Sequence, residues 1–416
     1  MASVLSGLRR RPHLLAGCVL LGLLLPAAPR IDSPRLGCPA VRLPGERFSA
    51  TVRSGFAPLC RPSFTLERGG RSWPLEARWQ GGLFRASSEL QLPPELEPGA
   101  YALVARAAGG VDRRISAVHV RAPGRAEDRL RLLHLADLPV LVDPQGQADW
   151  DALVEDLAAW RPDAILLGGD IAYGGWGYIW ERLERGLARL DVPVIAALGN
   201  HEFEGLSGFI DRFGPPWHRV DVGRYSVLTL ASLHGRDQFS DAQLDWLESE
   251  LERLDGRPAI VQMHHTFFDD DRVMRRRDRL RTALERHGVR LVLSGDVHHD
   301  QGHSANGLEL PGEIEGALPA GLLFLVTTSA GRHVREGGPH RSWPGFRLIE
   351  YLGDEPTWVG FDADGDGLQE PVRSLPASFW CAERPGSAPP ALPMDAPVGE
   401  LSGALGARRT QAALQR

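Results

Sequence analysis

Val192-Pro193-Val194-Ile195-Ala196-Ala197-Leu198-Gly199-Asn200-His201-Glu202 carries an apolar run straight into a glycine and three polar side chains. A short apolar run closed by a turn residue reads as a buried β-strand. Asn200, His201 and Glu202 stand just past its carboxyl end. The pattern recurs along the chain. Leu130–Ala136 leads into Asp137, and Ala164–Leu167 leads through Gly168-Gly169 into Asp170 and Tyr173. Ala259–Met263 leads into His264 and His265, and Val289–Leu293 into Asp296, His298 and His299. In α/β sheets, ligands bind beyond the carboxyl ends of strands, so five strands are expected to deliver these groups to one sheet edge. Aspartate, histidine, asparagine and tyrosine are hard-to-borderline metal ligands. Buried carboxylates and imidazoles need partners or ions, which makes packing a poor account of five such groups in register.

Between these strands the apolar residues fall at helical spacing, in Trp150–Trp160, Tyr178–Leu190, Asp241–Leu254 and Arg275–His287. Tyr225–Ala231 and Leu322–Thr328 read as further strands. Alternating strands and amphipathic helices predict an α/β layered domain. Ser240-Asp241 opens one helix and Gly256 follows its end, a start and stop pair with a capping rationale. Residues 38–122 differ. They hold short β-type runs, Arg47–Val52, Ser63–Leu66, Leu83–Arg85, Ala100–Ala107 and Ile115–Val120, punctuated by Pro93-Pro94 and Gly109-Gly110. That spacing predicts a β-sandwich of immunoglobulin-like or fibronectin-like type, joined to the α/β body through Ala122–Asp128.

At the amino terminus, Arg9-Arg10-Arg11 precede the apolar run Leu14–Leu25, and Ala27-Ala28 follow. This is the layout of a cleaved secretory signal, and it predicts a secreted or periplasmic protein. Leu15-Ala16-Gly17-Cys18 resembles a lipoprotein acylation box, but most of the apolar run lies after Cys18, the wrong order for that reading. Past Ser374-Leu375 the chain turns rich in Pro, Ala and Gly, the composition of a flexible tail. The expected organisation is a signal over 1–30, the β-sandwich over 31–125, the α/β domain over 126–375 and the tail over 376–416. With the signal removed, Cys38, Cys60 and Cys381 remain. Cys38 and Cys60 either pair or stay separate buried thiols.

The 416 residues carry a net charge of -6, with 43% hydrophobic and 24% charged residues. That balance excludes disorder as the main state and gives no general basic bias toward nucleic acid. No apolar run is long enough for a transmembrane helix in the mature chain. All 47 cationic residues are arginine, a coding bias rather than a functional sign.

Asp137; Gly169-Asp170; Gly199-Asn200-His201-Glu202; His264; and Gly295-Asp296-Val297-His298 resemble the five motifs of calcineurin-like metallophosphoesterases. The likeness spans roughly residues 130–335, and Gly-Asn-His-Glu after a strand is its most specific part. It implies a four-layer α/β/β/α sandwich with two metal ions that hydrolyses phosphoesters. The family's first motif usually reads Asp-x-His, whereas here it reads Asp137-Leu138-Pro139. The purple acid phosphatase branch also lacks that histidine and uses a tyrosine three residues after the bridging aspartate, the place of Tyr173. That branch also carries an amino-terminal β-sandwich.

The resemblance implies Asp170 as the carboxylate shared by both ions. Asp137, Tyr173 and His298 complete one site, and Asn200, His264 and Asp296 the other. It implies Fe(III) on the tyrosine, plus a divalent Fe, Mn or Zn. His201 then faces the substrate as the acid for the leaving oxygen, with Glu202 orienting it and with His265 and His299 as neighbours supporting the ligands. Asp296 stands where the family has histidine. Either it coordinates, favouring harder ions, or it points elsewhere and one ion is weak. The function implied is an exported phosphatase that attacks small phosphate monoesters with a hydroxide held between the ions. A phosphodiesterase or nucleotidase on the same scaffold, and a decayed extracellular binding protein, are the alternatives. Two further features have structural readings. The arginine run Arg275–Arg281 reads as a solvated helix face. Asp362–Gly367 starts like a calcium loop but has Arg373 at the closing position, so it reads as a hairpin turn.

Overall fold

The structure, a computed structural model, describes residues 28–53, 61–80, 85–124, 128–138, 141, 143–174, 176–202, 205–232, 239–268, 276–308, 310, 321–331 and 345–362. Residues 1–27 of the segment assigned to the signal and the whole tail lie outside these residues, as do Pro139, Cys60, Cys381 and all but Asp362 of the calcium-like loop, whereas Arg30, assigned to the end of the signal, opens the first strand. No described helix is long and apolar enough to cross a membrane. The chain divides into two compact units between Pro123 and Gly124.

The first unit is all β: β1 (Arg30–Ser33), β2 (Ala40–Arg42), β3 (Arg47–Arg53), β4 (Ser63–Arg68), β5 (Arg71–Gln80), β6 (Arg85–Gln91), β7 (Gly99–Ala107) and β8 (Gly110–Val120). Their order is β1-β3-β6-β5-β4-β7-β8-β2. β5 changes partners midway: its first half pairs with β4, and Glu76–Gln80 pairs with β6. The two halves of the sheet share one core. Phe48, Ala50, Val52 and Leu90 from one half pack in the same cluster as Phe64, Leu66, Tyr101 and Leu103 from the other. In β3 every second residue is buried, as a strand with one face on a core requires. The sequence reading missed β5, whose Arg71, Glu76 and Arg78 interrupt any apolar run. It also placed a strand at Leu83–Arg85, of which all but Arg85 lies outside the described residues, and Arg85 belongs to a strand that runs on to Gln91. Cys38 is a buried thiol, and burial pushes its pKa up to about 11.

The second unit has two sheets. β9 (Arg129–Leu135), β10 (Ala164–Leu167), β11 (Val194–Ala196), β18 (Gly345–Leu352) and β19 (Glu355–Asp362) form one, in the order β11-β10-β9-β18-β19. The other is β12-β13-β14-β15-β17-β16, built from β12 (His218–Val222), β13 (Tyr225–Thr229), β14 (Ala259–Gln262), β15 (Leu291–Ser294), β16 (Gln301–Ser304) and β17 (Leu323–Val326). β9, β10 and β11 are parallel, as are β13, β14, β15 and β17. Such strands are covered on both faces, which explains their unbroken apolar sequences. The sheets touch through buried polar bridges: Gln262 Nε2 donates to Ile195 O at 3.2 Å, and His134 Nδ1 lies 2.7 Å from Thr327 Oγ1.

Helices form the outer layers. α4 (Asp241–Arg253) and α5 (Arg277–Arg286) bury Leu244, Leu247, Leu251, Leu280 and Leu284 against the six-stranded sheet. α1 (Pro144–Trp160) and α2 (Gly177–Leu187) pack closely enough that a Cβ on Gly186 would lie 2.1 Å from Trp150 Nε1. The Asp143 carboxylate caps α1 and the Ser240 hydroxyl caps α4. The stretch Gly205–Val222, unassigned from sequence, contains α3 (Leu206–Phe213) and β12. Of the arginine run, Arg276 and Arg279 pair with Asp241, Asp245 and Glu248 on α4.

Candidate metal centre

Each expected site residue except Tyr173 and Glu202 follows a parallel strand by one to five positions. The five strands do not share one sheet edge, as the sequence reading expected. β9, β10 and β11 bring Asp137, Asp170 and Asn200 from one sheet, while β14 and β15 bring His264, Asp296 and His298 from the other. The side chains meet where the two sheets end together. His298 Nε2 lies 3.1 Å from Asp137 Oδ1. His264 Nε2 lies 3.1 Å from Asn200 Oδ1, 3.3 Å from Asp170 Oδ2 and 3.7 Å from Asp296 Oδ1. These contacts form two groups, with Asp170 and His264 at their junction. Donor atoms of Asp137, Asp170 and His264 lie within 4.8 Å of one another, and so do those of His264, His265 and Asp296.

The backbone is bent to achieve this. Asp137, Asp170, Asp296 and His298 have φ of 51°, 50°, 72° and 58°, left-handed values that cost a residue with a Cβ roughly 1–2 kcal/mol each. Glycines admit the close approaches. A Cβ on Gly199 would lie 2.1 Å from Asp170 Oδ1, and one on Gly169 2.6 Å from His264 Nδ1.

Asp137, Asp170 and Glu202 are buried, with Asp296 only slightly open. Burial works against charge on Asp170, but His264 facing it, with help from the His201 N–H, outweighs burial and holds the carboxyl down at about 2. Burial also opposes a charged His264, yet Asp170, Asp137 and Asp296 around it raise its pKa well above the ordinary range. Burial, then the same carboxylates, push the Tyr173 phenol up. Negative charge is thus concentrated on a set of O and N donors; a positive ion there would stabilise the Asp170 carboxylate as the His264 charge does, and would draw the raised Tyr173 and His264 back down. The residues fit a pair of hard or borderline cations.

His201 is 44% exposed, with Nε2 3.7 Å from Asp170 Oδ2. Its backbone N–H donates to Asp170 Oδ1 at 3.0 Å. Tyr173 lies against it, ring centroids 4.1 Å apart. Glu202 does something other than orient His201. Its carboxylate accepts the backbone N–H groups of Gly199, Asp170 and Ala172 at 2.8, 3.0 and 2.9 Å, tying the loops after β10 and β11 together. Burial, then Asp170, raise its pKa to about 8, against those donors. His265 is buried and bonded to Ser232 through both its backbone N–H and Nδ1. His299 turns into its own loop, toward Val297 O and Gln301 Oε1.

The sequence reading missed the supports behind the ligands. Arg347 Nη2 pairs with Asp300 Oδ1 at 3.0 Å, both nearly inaccessible, and Asp300 Oδ1 accepts the Thr328 N–H at 2.7 Å. The Thr328 hydroxyl donates to His298 O, and the Ser329 hydroxyl to Asp137 O. One signal was available: Arg347 sits inside an apolar strand, Phe346-Arg347-Leu348-Ile349, and a buried guanidinium needs a carboxylate.

Comparison with known proteins agrees with this geometry. Residues 130–300 match the family model of the calcineurin-like phosphoesterases. A probable cyclic nucleotide phosphodiesterase of Synechococcus is 30% identical over 193 residues, covering 41% of this chain and 73% of that protein. The cyclic adenosine monophosphate phosphodiesterase CpdA of Escherichia coli is 27% identical over 212 residues, 45% of this chain and 76% of the relative. A purple acid phosphatase from yellow lupin seeds shares the fold with a TM-score of 0.54 at 16% identity, over 83% of this chain and 73% of that one. The chain is a metal-dependent phosphoric ester hydrolase by fold and donor set, and it belongs to the calcineurin-like phosphoesterase family.

Proposed function

We propose that this protein is an exported phosphomonoesterase of the purple acid phosphatase type. The observation that carries the reading is the position of Tyr173. It lies on the loop that carries Asp170, its ring against His201 with the planes tilted by 37°, and it feels the charges of Asp137, Asp170 and Asp296 together. A phenol there can give its oxygen to a cation in exchange for its proton. Asp137, Tyr173 and His298 would hold one ion, and Asn200, His264 and Asp296 the other, with Asp170 between them. Two such cations, when bound, neutralise the ester oxygens and acidify a water molecule for attack on phosphorus. Iron on Tyr173, beside a divalent ion, is part of the proposal. His201 then presents Nε2 to the leaving oxygen and delivers its proton, positioned by its own N–H on Asp170. The relatives named as cyclic nucleotide phosphodiesterases favour a second reading, in which a diester is the substrate.

Elemental analysis combined with turnover of monoesters and diesters tests both. The expected result is two ions per chain, faster monoester hydrolysis, and a visible tyrosinate-to-iron band that Tyr173→Phe abolishes. A diester preference would favour the second reading. Absence of both metal and turnover would leave an extracellular binding protein. Export rests on the sequence of residues 1–30, and a mature amino terminus near residue 30 in mass spectra of the secreted protein would support it. An immunoglobulin-like identity for the first unit is supported by the switch of β5 between two partners over a shared core.

A further inference from the structure

Five large apolar side chains stand well exposed among the described residues: Val111, Trp176, Tyr178, Leu308 and Leu352. Two of them touch. Trp176, 59% exposed, and Tyr178, 43% exposed, are stacked with ring centroids 5.9 Å apart and planes 21° from parallel. They belong to the loop that carries Asp170 and Tyr173 and then starts α2. A Cβ on Gly174, next to Tyr173, would lie 4.0 Å from Trp176 Cε2. On the other side, the Arg182 guanidinium lies 5.3 Å from the Tyr178 ring and donates to Leu141 O, in the segment after Asp137. The aromatic pair therefore stands where the segment that follows Asp170 and Tyr173 enters α2, and Arg182 links it to the segment that follows Asp137.

Leaving two stacked rings in water forgoes burial that would otherwise stabilise the fold. A folded chain gains from such an arrangement when a flat partner covers the rings. We infer that Trp176 and Tyr178 form a stacking platform that selects phosphoesters bearing a planar aromatic group, with a nucleobase as its occupant. The inference rests on the hydrolytic reading of the site above and adds the substrate class. The phosphorus occupies the metal centre, and the planar group lies against the faces of Trp176 and Tyr178. Base-on-aromatic stacking is tolerant of base identity, so the platform would select nucleotides over alkyl esters without choosing strongly among bases.

Two measurements on the metal-loaded protein separate this from the hydrolytic reading. The first is calorimetric binding of AMP and of inorganic phosphate to wild type, Trp176→Ala and Trp176→Tyr. The wild type is expected to bind AMP about tenfold more tightly than phosphate. Trp176→Ala should erase that preference, and Trp176→Tyr should restore most of it. The second is the ratio of kcat/KM for AMP to that for glycerol phosphate, which should fall about tenfold in Trp176→Ala, mainly through KM. An AMP preference that is absent, or unchanged in Trp176→Ala, overturns the platform and gives the pair to another partner. If the wild type hydrolyses neither ester but shows an AMP preference that Trp176→Ala removes, the platform stands and the hydrolytic reading falls.

Discussion

His264 Nε2 lies 3.3 Å from Asp170 Oδ2, although the two residues leave different sheets, Asp170 after β10 and His264 after β14. This contact closes the site. It joins the two groups of donors, and it is available because Gly169 leaves room for the imidazole, whose Nδ1 lies 2.8 Å from Gly168 O. Several consequences can be measured.

Asp170 is the carboxylate between both groups, so Asp170→Asn removes a charge and an oxygen donor from each. Metal content should fall by at least one ion per chain and turnover by at least about 100-fold. Elemental analysis and initial rates check this, and full metal occupancy in Asp170→Asn would place the shared ligand elsewhere.

His201 is open to solvent and its side chain stands outside the tight donor contacts. His201→Ala should keep its metal and lose turnover by about 100- to 10,000-fold, the usual worth of a proton donor. Esters with good leaving groups should lose least, and an equal loss across leaving groups would remove the acid role.

Gly199→Ala tests the close approach of the two loops. The new Cβ would come within 2.2 Å of Asp170 N and 2.1 Å of its Oδ1. Displacing that carboxylate should weaken metal binding about 10- to 100-fold while costing roughly 1–3 kcal/mol of stability. Metal titration and denaturant unfolding read the two effects separately.

The Arg347–Asp300 pair is nearly inaccessible, and each partner alone would be an uncompensated buried charge. Arg347→Met should cost about 3–5 kcal/mol, and a double variant with Asp300→Asn should recover part of it. Additive losses in unfolding experiments would show that the two side chains are not coupled.

His134 supplies a pH dependence of stability. Burial, with the Arg347 charge, lowers its pKa to about 3. The unfolded chain takes up a proton near pH 6.5 that the folded chain refuses until about pH 3, so stability is full above 6.5 and declines as pH falls through this window. The slope from this group is about 1.4 kcal/mol per pH unit. Urea midpoints between pH 6 and 4 should fall more steeply for the wild type than for His134→Asn. Identical slopes would assign acid sensitivity to other groups.

Much of the site was legible because it is written at strand ends. Asp137, Asp170, Asn200, His264, Asp296 and His298 each follow an apolar run, and a turn after a buried strand is a local pattern that needs no tertiary knowledge. Charged supports were legible only as anomalies. Arg347 inside β18 demanded a partner, but the choice of Asp300, 47 positions away, depends on how β18 packs across β17. β5 was invisible because its two halves serve different neighbours and no single face shows a period.

By itself, the sequence determined most of the strands and helices of the second unit and which polar side chains stand just past the strand ends, since each is a property of neighbours along the chain. Tertiary structure decided that the donors come from two sheets rather than one, that Glu202 binds backbone rather than His201, and that Trp176 and Tyr178 stack in the open at the start of α2. Those outcomes depend on which distant surfaces are driven together by burial, and burial is a property of the whole fold that no local window contains.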